Sequence, residues 1–325
     1  MVDLEKHSAM IKAEAFRLGF DICCIAPAGP LREEAAQLAQ WLSCGYHATM
    51  KYMEKHAEKR VDVNKLVPGT VSVIVVLLNY FTDKRQSDSL APVISKYAYG
   101  KDYHSVIRKK LSSLLHYINS AIGKTGGRAF SDSAPVMDKA WAVRSGTGWM
   151  GKNSNLIAPG KGSFFFIGTL MVDRPLQYDK PVSDLCGDCT RCIRACPTQA
   201  IVKPYVVDGS RCISYLTIEY KGEIPESFRG KLRNRVFGCD ICQDVCPWNR
   251  KASSHSTAEL SPLKGLLEMK REEWPLLSEE KFNTLFSGSP LKRTGYRGLI
   301  RNMQFLREVP PDPASPAGRH PQGEE

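Results

Sequence analysis

The feature that most constrains this chain is a cysteine-dense segment that runs from Cys186 to Pro247. It opens with Cys-x2-Cys-x2-Cys-x3-Cys-Pro and closes with Cys-x2-Cys-x3-Cys-Pro, and one further cysteine lies between the two runs. This spacing is typical of two 4Fe–4S clusters, in which three thiolates of a run bind one cluster and the fourth binds the other. Crossing the fourth cysteines predicts cluster I on Cys186, Cys189, Cys192 and Cys246, and cluster II on Cys196, Cys212, Cys239 and Cys242.

Two other kinds of site also use dense cysteines. Two zinc ions could each bind four thiolates in tetrahedral geometry, but zinc pairs usually come as two Cys-x2-Cys knuckles separated by a loop. A disulfide framework needs an oxidising compartment and is typical of short secreted chains, whereas this chain has 325 residues. The spacing therefore favours iron–sulfur clusters over both alternatives.

Composition and charge indicate the compartment and the kind of partner. Hydrophobic residues make up 42% of the chain and charged residues 24%, as in ordinary globular proteins. The first residues lack the apolar region of a secretory signal, and the most apolar run, at 71–78, is far shorter than the ~20 residues that span a bilayer. We therefore expect a cytoplasmic protein without membrane contact, whose cysteines stay reduced. A net charge of +11 favours a polyanionic partner, such as nucleic acid, or an anionic cofactor.

Hydrophobic periodicity predicts an α/β domain over residues 1–180. Helical spacing is found in residues 4–18, 31–42 and 134–145 and in a long stretch that ends near residue 122, and short apolar runs typical of strands lie at 21–26, 71–78 and 164–172. The run at 71–78 is continuous, as expected for a strand covered on both faces.

The rest of the chain divides into three predicted parts. The cysteine-dense segment occupies residues 181–250, and helical patterns near 263–285 and 297–307 predict a helical segment over 251–308. The last part, 309–325, contains five prolines, and from residue 310 onward it has no large apolar residue. Such a composition cannot build a core, so we expect this tail to be disordered.

Residues 146–153, Gly-Thr-Gly-Trp-Met-Gly-Lys-Asn, match two phosphate-binding patterns by spacing. A phosphate-binding loop needs a strand before it and a helix after it, whereas a helix is predicted before this stretch and none follows it clearly. Asn153 also replaces the hydroxyl that would bind magnesium. We therefore expect no nucleotide site here, although glycines would let the backbone approach a large flat ligand closely.

Several stretches taken together resemble the epoxyqueuosine reductases, the cobalamin-dependent enzymes of tRNA queuosine synthesis. They are residues 96–104 (Lys-Tyr-Ala-Tyr-Gly-Lys-Asp-Tyr-His), 131–135 (Ser-Asp-Ser-Ala-Pro), 148–153, 211–217 (Arg-Cys-Ile-Ser-Tyr-Leu-Thr) and 234–240 (Asn-Arg-Val-Phe-Gly-Cys-Asp). The resemblance covers about residues 1–305. It implies a cobalamin-binding α/β (α+β) domain related to reductive dehalogenases, a ferredoxin-like domain with two 4Fe–4S clusters, and a short helical C-terminal remnant.

The reaction implied by this resemblance is the reduction of epoxyqueuosine to queuosine at the wobble position of tRNA, the last step of queuosine synthesis. The clusters would deliver electrons to cobalt, nucleophilic cob(I)alamin would attack an epoxide carbon, and an acid would protonate the opening oxygen. The implied partners are tRNAs with a GUN anticodon (for Asp, Asn, His and Tyr) and an external electron donor of the flavodoxin or ferredoxin type. The chain is expected to be a monomer.

The acid of the family falls on Asp132. To hold a proton near neutral pH its pKa would have to be raised, by desolvation beneath the corrin. Taken without the resemblance, an aspartate before Ser-Ala-Pro is more often a turn or helix-cap residue. Asp138 and Asp102 compete for the same role, and Asp102 is better interpreted as the residue that starts a helix.

Corrin contacts are also implied by the resemblance. They are Arg60, Ser95, Asp132, Leu156, Ile167, Ser214 and Asp240. Leu156 and Ile167 suit plain core positions equally well. The D-x-H-x-x-G signature of enzymes that ligate cobalt through histidine is absent from the sequence, so cobalt is expected to have no histidine ligand from the protein.

Basic residues beside the clusters are expected to bind tRNA phosphates. They are Lys221, Arg229, Lys231, Arg233 and Arg235. Tyr97, Tyr99 and Tyr103 could stack on anticodon bases. A solvated basic face with packed tyrosines explains each residue equally well. After Met303 the sequence departs from the helical repeats of longer members. We expect either a natural short form or a gene product that is truncated or shifted in frame, and we expect tRNA affinity to be the property most affected.

Two other functional classes share part of this pattern. A reductive dehalogenase-like enzyme would use the same cofactors but usually carries a twin-arginine export signal. A ferredoxin-type electron carrier would need only the cysteine-dense segment and would leave residues 1–180 without a role.

Overall fold

The computed structural model describes residues 3–307, which contain ten α-helices and ten β-strands. The helices are α1 (Leu4–Arg17), α2 (Arg32–Ser43), α3 (Ala57–Val61), α4 (Val63–Leu66), α5 (Tyr103–Tyr117), α6 (Asp138–Ser145), α7 (Arg191–Ala195), α8 (Ile241–Asp244), α9 (Glu279–Leu285) and α10 (Gly295–Arg307). The strands are β1 (Ile22–Pro27), β2 (Ser72–Asn79), β3 (Val93–Ile94), β4 (Gly127–Phe130), β5 (Trp149–Met150), β6 (Leu156–Ile157), β7 (Phe165–Val172), β8 (Ile201–Lys203), β9 (Val206–Val207) and β10 (Arg235–Phe237).

The main sheet has four strands in the order β1-β2-β7-β4, and every neighbouring pair is antiparallel. Every residue of β2 is buried, because helices cover both faces of the sheet. Ile74, Val76 and Leu78 share one apolar layer with α1 and α5. The alternate residues of β2 pack in a second layer with Trp141 of α6. The predicted strand covered on both faces is therefore confirmed, and the antiparallel pairing makes this the α+β form of the predicted class.

Most predicted elements of residues 1–180 lie within about two residues of their expected bounds. Two predicted helical patterns differ, one in that domain and one in the C-terminal segment. The helix predicted from residue 134 begins only at Asp138, because Pro135 disfavours helical backbone in the residue before it. The pattern at 263–285 gives turns and a short 3-10 turn before α9 begins at Glu279. Gly265 adopts a φ of 81° within those turns, which a continuous helix does not allow.

The cysteine-dense segment is joined to its neighbours on both sides. β10 pairs in parallel with β3, which precedes it by more than a hundred residues. The C-terminal helices pack on β10, and one apolar layer contains Phe237, Tyr99, Trp274 and Phe286. The predicted boundary at residue 250 therefore lies between segments that share a core, and the boundaries at 180, 250 and 308 stay predictions. The predicted disordered tail, 309–325, lies outside the described residues.

The glycines of residues 146–153 serve the chain itself. Gly146 ends α6 with a φ of 84°, and a Cβ added there would clash with the carbonyl oxygen of Lys180. A Cβ at Gly148 would clash with the carbonyl oxygen of Ile157. The chain's own backbone thus fills the space at both glycines, so the expected close approach of a flat ligand is wrong at these two positions.

None of the helices within residues 3–307 has the length and apolar character that crossing a membrane requires.

Candidate active site

Asp132 occupies a strained loop between β4 and α6. Its φ of 56° lies in the left-handed region, which few residues other than glycine adopt. The hydroxyl of Tyr103 donates to Asp132 Oδ2 at 2.6 Å. The preceding residue, Ser131, is fully buried and its hydroxyl donates to the Ile167 carbonyl at 3.3 Å. The start of α5 therefore holds the carboxylate, and β7 holds the loop residue that precedes it. Strain of this kind is concentrated at active sites.

His104 is placed between two carboxylates. Its Nδ1 lies 2.6 Å from Asp102 Oδ1, and its Nε2 lies 3.5 Å from Asp132 Oδ2. Asp102 also accepts the backbone N–H of His104 at 3.0 Å and caps α5, which confirms it as the residue that starts this helix. The ring of Tyr103 stacks on Phe166 with centroids 4.0 Å apart and an angle of 6°. This stacking fixes the hydroxyl that bonds to Asp132.

The pKa of Asp132 is lowered, contrary to the rise expected from the sequence. The hydrogen bond with His104 is the largest cause of the lowering, burial opposes it, and the Tyr103 hydroxyl adds to it. Burial lowers the pKa of His104, but hydrogen bonds to Asp102 and Asp132 outweigh burial and raise that pKa to about 9. At neutral pH the proton of this pair is therefore on His104, and Asp132 is a carboxylate.

We expect His104 to titrate near pH 9 instead of near 6.5, the ordinary value for histidine. Because its pKa is raised in the folded state, its contribution to stability is complete below pH 6.5 and is lost as the pH rises through 9. The contribution should be on the order of 1 kcal/mol, since solvent around the pair weakens it. NMR titration of the imidazole measures the pKa of His104. Denaturant unfolding of the wild type and of His104→Gln at several pH values measures the contribution to stability. A midpoint near 6.5 would contradict the ion pair.

The Asp132 side chain is 67% exposed, yet burial by the surrounding protein still acts on its pKa. From these two observations together we infer that the carboxylate lies in a recess that is open to solvent. Asp138, in the first turn of α6, lies near it and accepts the Thr169 hydroxyl at 3.3 Å. Burial, and then the charge of Asp132, raises the pKa of Asp138 to about 7. Of the two rival carboxyls, Asp138 is the one that holds its own proton near neutral pH.

Lys139 connects the recess to the cysteines. Burial lowers its pKa, and the charges of Asp132, Cys242 and Cys212 all act in the opposite direction. Its Nζ donates to the Ser154 carbonyl at 2.7 Å. Lys139 therefore lies near both the Asp132 carboxylate and two thiols of the predicted cluster II. Neither Lys139 nor His104 was predicted as a site residue from the sequence, because their contacts in the site join segments that are far apart in the chain.

Two of the expected corrin contacts bond to each other. The hydroxyl of Ser95 donates to Asp240 Oδ1, and the Lys96 N–H donates to Oδ2 at 2.8 Å. Ser95 is 4% exposed and Asp240 is 6% exposed. Gly238 has a φ of 71°, and a Cβ added there would lie 2.6 Å from the Ser95 Cβ. Only glycine permits this approach between β3 and β10.

The other expected corrin contacts are more scattered. Leu156 is buried and Ile167 is partly buried in the apolar layer around Trp141. Ser214 is partly exposed next to the cysteine-dense segment. Arg60 Nη2 donates to the Tyr52 carbonyl at 2.7 Å, but its buried Nε finds no acceptor among residues 3–307. A buried donor without a partner is typical of a site completed by a ligand, so Arg60 fits a ligand rich in acceptors.

The eight cysteine thiols are free of disulfides, and their influence on one another's pKa values divides them into two groups. Burial raises the pKa of Cys192, and so do Cys246, Cys186 and Cys189. Burial also raises the pKa of Cys246, with further contributions from Cys186 and Cys189.

In the second group, burial raises the pKa of Cys212, and Cys196 adds to it. For Cys242, burial is followed by the effects of Cys239 and Cys212. Most thiols that act on one another belong to the same crossed set, and the ligand sets of clusters I and II stay predictions. Cys192 also acts on Cys242, so the two groups adjoin.

N–H donors approach the sulfurs of the second group. The backbone N–H of Ala200 donates to Cys196 Sγ at 3.3 Å, and Asn155 Nδ2 lies 3.8 Å from Cys242 Sγ. Such N–H···S bonds are a usual environment of cluster thiolates. Within the described part of the chain, no three His, Cys, Asp or Glu side chains are arranged so that they could hold a single metal ion. In a 4Fe–4S cluster each thiolate binds a different iron, so clusters I and II do not need that arrangement.

The basic residues expected to bind tRNA differ in their exposure and in the bonds that they form within the chain. Arg229 bonds to the Glu226 carboxylate and to the Phe305 carbonyl, and its guanidinium stacks on the Phe305 ring. Lys221 Nζ donates to two backbone carbonyls. Lys231 and Arg233 are exposed, and Arg235 is partly buried with one bond to the Arg233 carbonyl. Lys231 and Arg233 are therefore well placed to meet an outside anion.

The three tyrosines do not form an exposed stacking surface. Tyr99 is 8% exposed within the apolar core, so the expectation that it stacks on bases is wrong. Tyr97 packs edge-on against Tyr103 and Phe166. Tyr103 is occupied by Phe166 and Asp132. The tyrosines pack in the interior, as in the alternative interpretation, because these residues lie where β3 and α5 meet the sheet.

Comparison with known proteins identifies two matching family models. The model described as "Epoxyqueuosine reductase QueG, DUF1730" matches residues 60–133. The model described as "4Fe-4S double cluster binding domain" matches residues 185–249. The two matched ranges contain Asp132 and all eight cysteines.

Curated relatives match nearly the whole chain. The epoxyqueuosine reductase of Cellulophaga algicola is 54% identical over 303 residues, which cover 93% of this chain and 99% of the relative. The epoxyqueuosine reductase of Escherichia coli is 40% identical over 308 residues, which cover 93% of this chain and 81% of the relative.

Solved structures agree with the sequence comparison. An epoxyqueuosine reductase solved with an epoxyqueuosine-modified tRNA-Tyr stem loop has a TM-score of 0.86 and 30% identity, and the match covers 93% of this chain and 80% of that one. The reductive dehalogenase NpRdhA has a TM-score of 0.51 and 17% identity over 94% of this chain and 37% of its own, which shows a related fold. The expected resemblance and fold class are therefore confirmed, and the chain belongs to the epoxyqueuosine reductase family.

Proposed function

We propose that this chain reduces epoxyqueuosine in tRNA to queuosine, using cobalamin and two 4Fe–4S clusters. The observation that carries this proposal is the position of Asp132. Its carboxylate is held by Tyr103 and His104 in a recess, and Lys139 lies near both this carboxylate and the thiols of cluster II. A site for proton transfer therefore adjoins a site for electron transfer. The relatives that share this architecture are named for this reaction.

The cofactors would be held by residues already described. The two thiol groups would bind clusters I and II in the crossed sets. Arg60, with its unpaired donor, and the linked pair Ser95 and Asp240 would contact the corrin, together with Leu156, Ile167 and Ser214. When bound, cobalamin supplies low-valent cobalt for attack on the epoxide, and the clusters supply its electrons one at a time.

Asp132 would supply the proton that the opening epoxide requires. The oxygen of an opening epoxide gains negative charge and takes a proton from a positioned acid. Asp132 faces the recess, whereas the proton of the pair is on His104 at neutral pH. A ligand that covers the carboxylate desolvates it, which raises its pKa and moves the proton from His104 to Asp132. Asp102 holds the imidazole in position for this transfer.

A mobile loop would suit this role. In an epoxyqueuosine reductase from Bacillus subtilis, the catalytic aspartate loop is swung out of the active site. The loop at residues 131–137, which holds Asp132 in a strained conformation, is the corresponding segment in our proposal. Substrate contact would then favour the position in which Asp132 bonds to Tyr103.

The remaining partners complete the proposed function. The substrates are tRNAs with a GUN anticodon, namely those for Asp, Asn, His and Tyr. The electrons come from an external donor of the flavodoxin or ferredoxin type. The chain acts as a cytoplasmic monomer.

Lys231 and Arg233 should bind tRNA phosphates. Replacing both with alanine should weaken binding about tenfold at moderate salt and should lower the slope of log K against log salt by about 1.5, since two phosphate contacts are lost. Filter binding or fluorescence anisotropy over a salt series measures both. The double variant Lys6→Ala/Lys124→Ala removes the same charge from exposed positions elsewhere. An equal effect of the two variants would indicate general charge and no specific contact.

Asn155 should raise the reduction potential of cluster II. A hydrogen bond to a ligand sulfur stabilises the more negative, reduced cluster. If the bond contributes ~1 kcal/mol, Asn155→Leu should lower the potential of one cluster by ~40 mV and leave the other unchanged. Potentiometric titration monitored by EPR measures this, and Asn64→Leu, at an exposed position, is the control. Unchanged potentials in both variants would exclude this role.

The proposed function is tested by reconstitution. The purified chain, loaded anaerobically with clusters and cobalamin, should convert epoxyqueuosine-containing tRNA to queuosine-containing tRNA when a low-potential reductant is present. Nucleoside mass spectrometry reads the product directly. If the Escherichia coli relative yields queuosine under the same conditions and this loaded chain yields none, the proposal fails.

A further inference from the structure

The proposed function requires a place where electrons enter, and the inference below rests on that function. The two thiol groups differ in position. Lys139, on the helix that follows the Asp132 loop, donates to the Ser154 carbonyl at 2.7 Å, and the next residue, Asn155, lies 3.8 Å from Cys242 Sγ of cluster II. Cys186 and Cys189 of cluster I are partly exposed. Cluster I is therefore the natural entry point, and cluster II adjoins the recess.

Exposed apolar side chains lie on the first cysteine loop and on the β8–β9 hairpin. Leu185 is 49% exposed, Val202 is 38% exposed and Tyr205 is 42% exposed. The Tyr205 hydroxyl donates to the carboxylate of Asp184, the neighbour of Leu185, and this bond connects the β8–β9 turn to the first cysteine loop. Apolar groups gathered at one place on a surface usually mark a site of protein contact.

Three cations lie on β8 and on α7, the helix that packs against it. Arg191 and Arg194 are exposed on α7, which packs against β8, and Lys203 is exposed at the end of β8. Within residues 3–307, none of the three forms an ion pair. The nearby Asp184 is occupied by Tyr205 and by the Cys186 N–H. We call the surface formed by Leu185, Val202, Tyr205, Arg191, Arg194 and Lys203 the entry patch.

We propose that the entry patch docks an acidic one-electron carrier protein that reduces cluster I. In each encounter one electron passes from the reduced carrier to the oxidised cluster, and no bond is formed or broken. Two encounters supply the two electrons that one epoxide requires. Charge steers the encounter, and the apolar centre provides the small dry contact of a transient redox complex.

RNA is the other macromolecule that unpaired cations attract. An RNA backbone would use Arg191, Arg194 and Lys203, but its phosphates would leave Leu185 and Val202 without a partner. The apolar centre therefore favours a protein. The closeness of the patch to cluster I favours an electron carrier over other proteins.

The test uses the loaded enzyme and reduced flavodoxin as the probe. Stopped-flow bleaching of cluster absorbance gives a half-saturating flavodoxin concentration and a limiting rate. In the triple variant Arg191→Glu/Arg194→Glu/Lys203→Glu the half-saturating concentration should rise at least tenfold, and its dependence on salt should reverse. Reduction by dithionite should be unchanged, because a small reductant does not use the patch. The triple variant Lys6→Glu/Lys109→Glu/Lys124→Glu makes the same charge change at exposed positions elsewhere and should behave like the wild type.

Three outcomes would overturn the inference. They are an unchanged half-saturating concentration, an equal change in both triple variants, and a loss of tRNA affinity without a change for flavodoxin, which would make the patch an RNA surface. Because the readout is cluster reduction, it is independent of queuosine formation. If queuosine never forms, the proposed function fails, and the docking measurement still stands or falls separately.

Discussion

Replacing Asp132 with asparagine should reduce queuosine formation at least about 10²-fold while clusters and cobalamin remain bound. The asparagine side chain keeps the size of aspartate but carries no acidic proton, so the opening epoxide oxygen loses its donor. His104 cannot replace it directly, because its Nε2 lies behind the carboxylate at 3.5 Å. Single-turnover rates with prereduced enzyme isolate this step from electron delivery.

Asp138→Asn is the discriminating variant. Asp138 holds a proton near neutral pH, because burial and the charge of Asp132 raise its pKa to about 7. If Asp132 is the acid, Asp138→Asn should retain turnover within about tenfold. Asp83→Asn, at an exposed position, controls for handling of the variants. Full turnover in Asp132→Asn together with loss in Asp138→Asn would transfer the role to Asp138.

Paired cysteine substitutions should distinguish the crossed ligand sets from sequential ones. In the crossed arrangement Cys186 and Cys246 serve the same cluster, so the double variant Cys186→Ser/Cys246→Ser should lose roughly half of its iron and keep one cluster. Cys186→Ser/Cys196→Ser should lose both clusters, because each cluster loses a ligand. Sequential sets reverse the two results.

Iron analysis and EPR of both double variants give the answer. Cys24→Ser, a cysteine outside the two groups, should keep the full iron content. If Cys186→Ser/Cys246→Ser loses both clusters and Cys186→Ser/Cys196→Ser keeps one, the crossed sets are wrong.

Local pattern predicted much of the fold. β2 was predicted because a continuous apolar run has few alternatives to a strand covered on both faces, and all its residues are buried. The cysteine spacing predicted the two thiol groups for a similar reason, since short steps along the chain confine the sulfurs to one place. The turns at 263–277 escaped prediction because helical spacing of apolar residues also suits irregular backbone packed on a core.

The chemistry of the recess could not be predicted from local pattern. The sequence places Asp132 before Ser-Ala-Pro, which indicates a turn, and only the resemblance marked it as an acid. The direction of its pKa depends on His104, which α5 brings to it across the fold. Ser95 and Asp240 were each expected in the pocket, but their mutual bond depends on the pairing of β3 with β10.

Nucleoside analysis of tRNA from a strain that lacks this gene tests most directly whether the chain reduces epoxyqueuosine. Epoxyqueuosine should accumulate in place of queuosine, and queuosine should return when the wild-type gene is restored but not when Asp132→Asn is restored. Normal queuosine in the deletion strain, with no epoxyqueuosine, would contradict the proposed function.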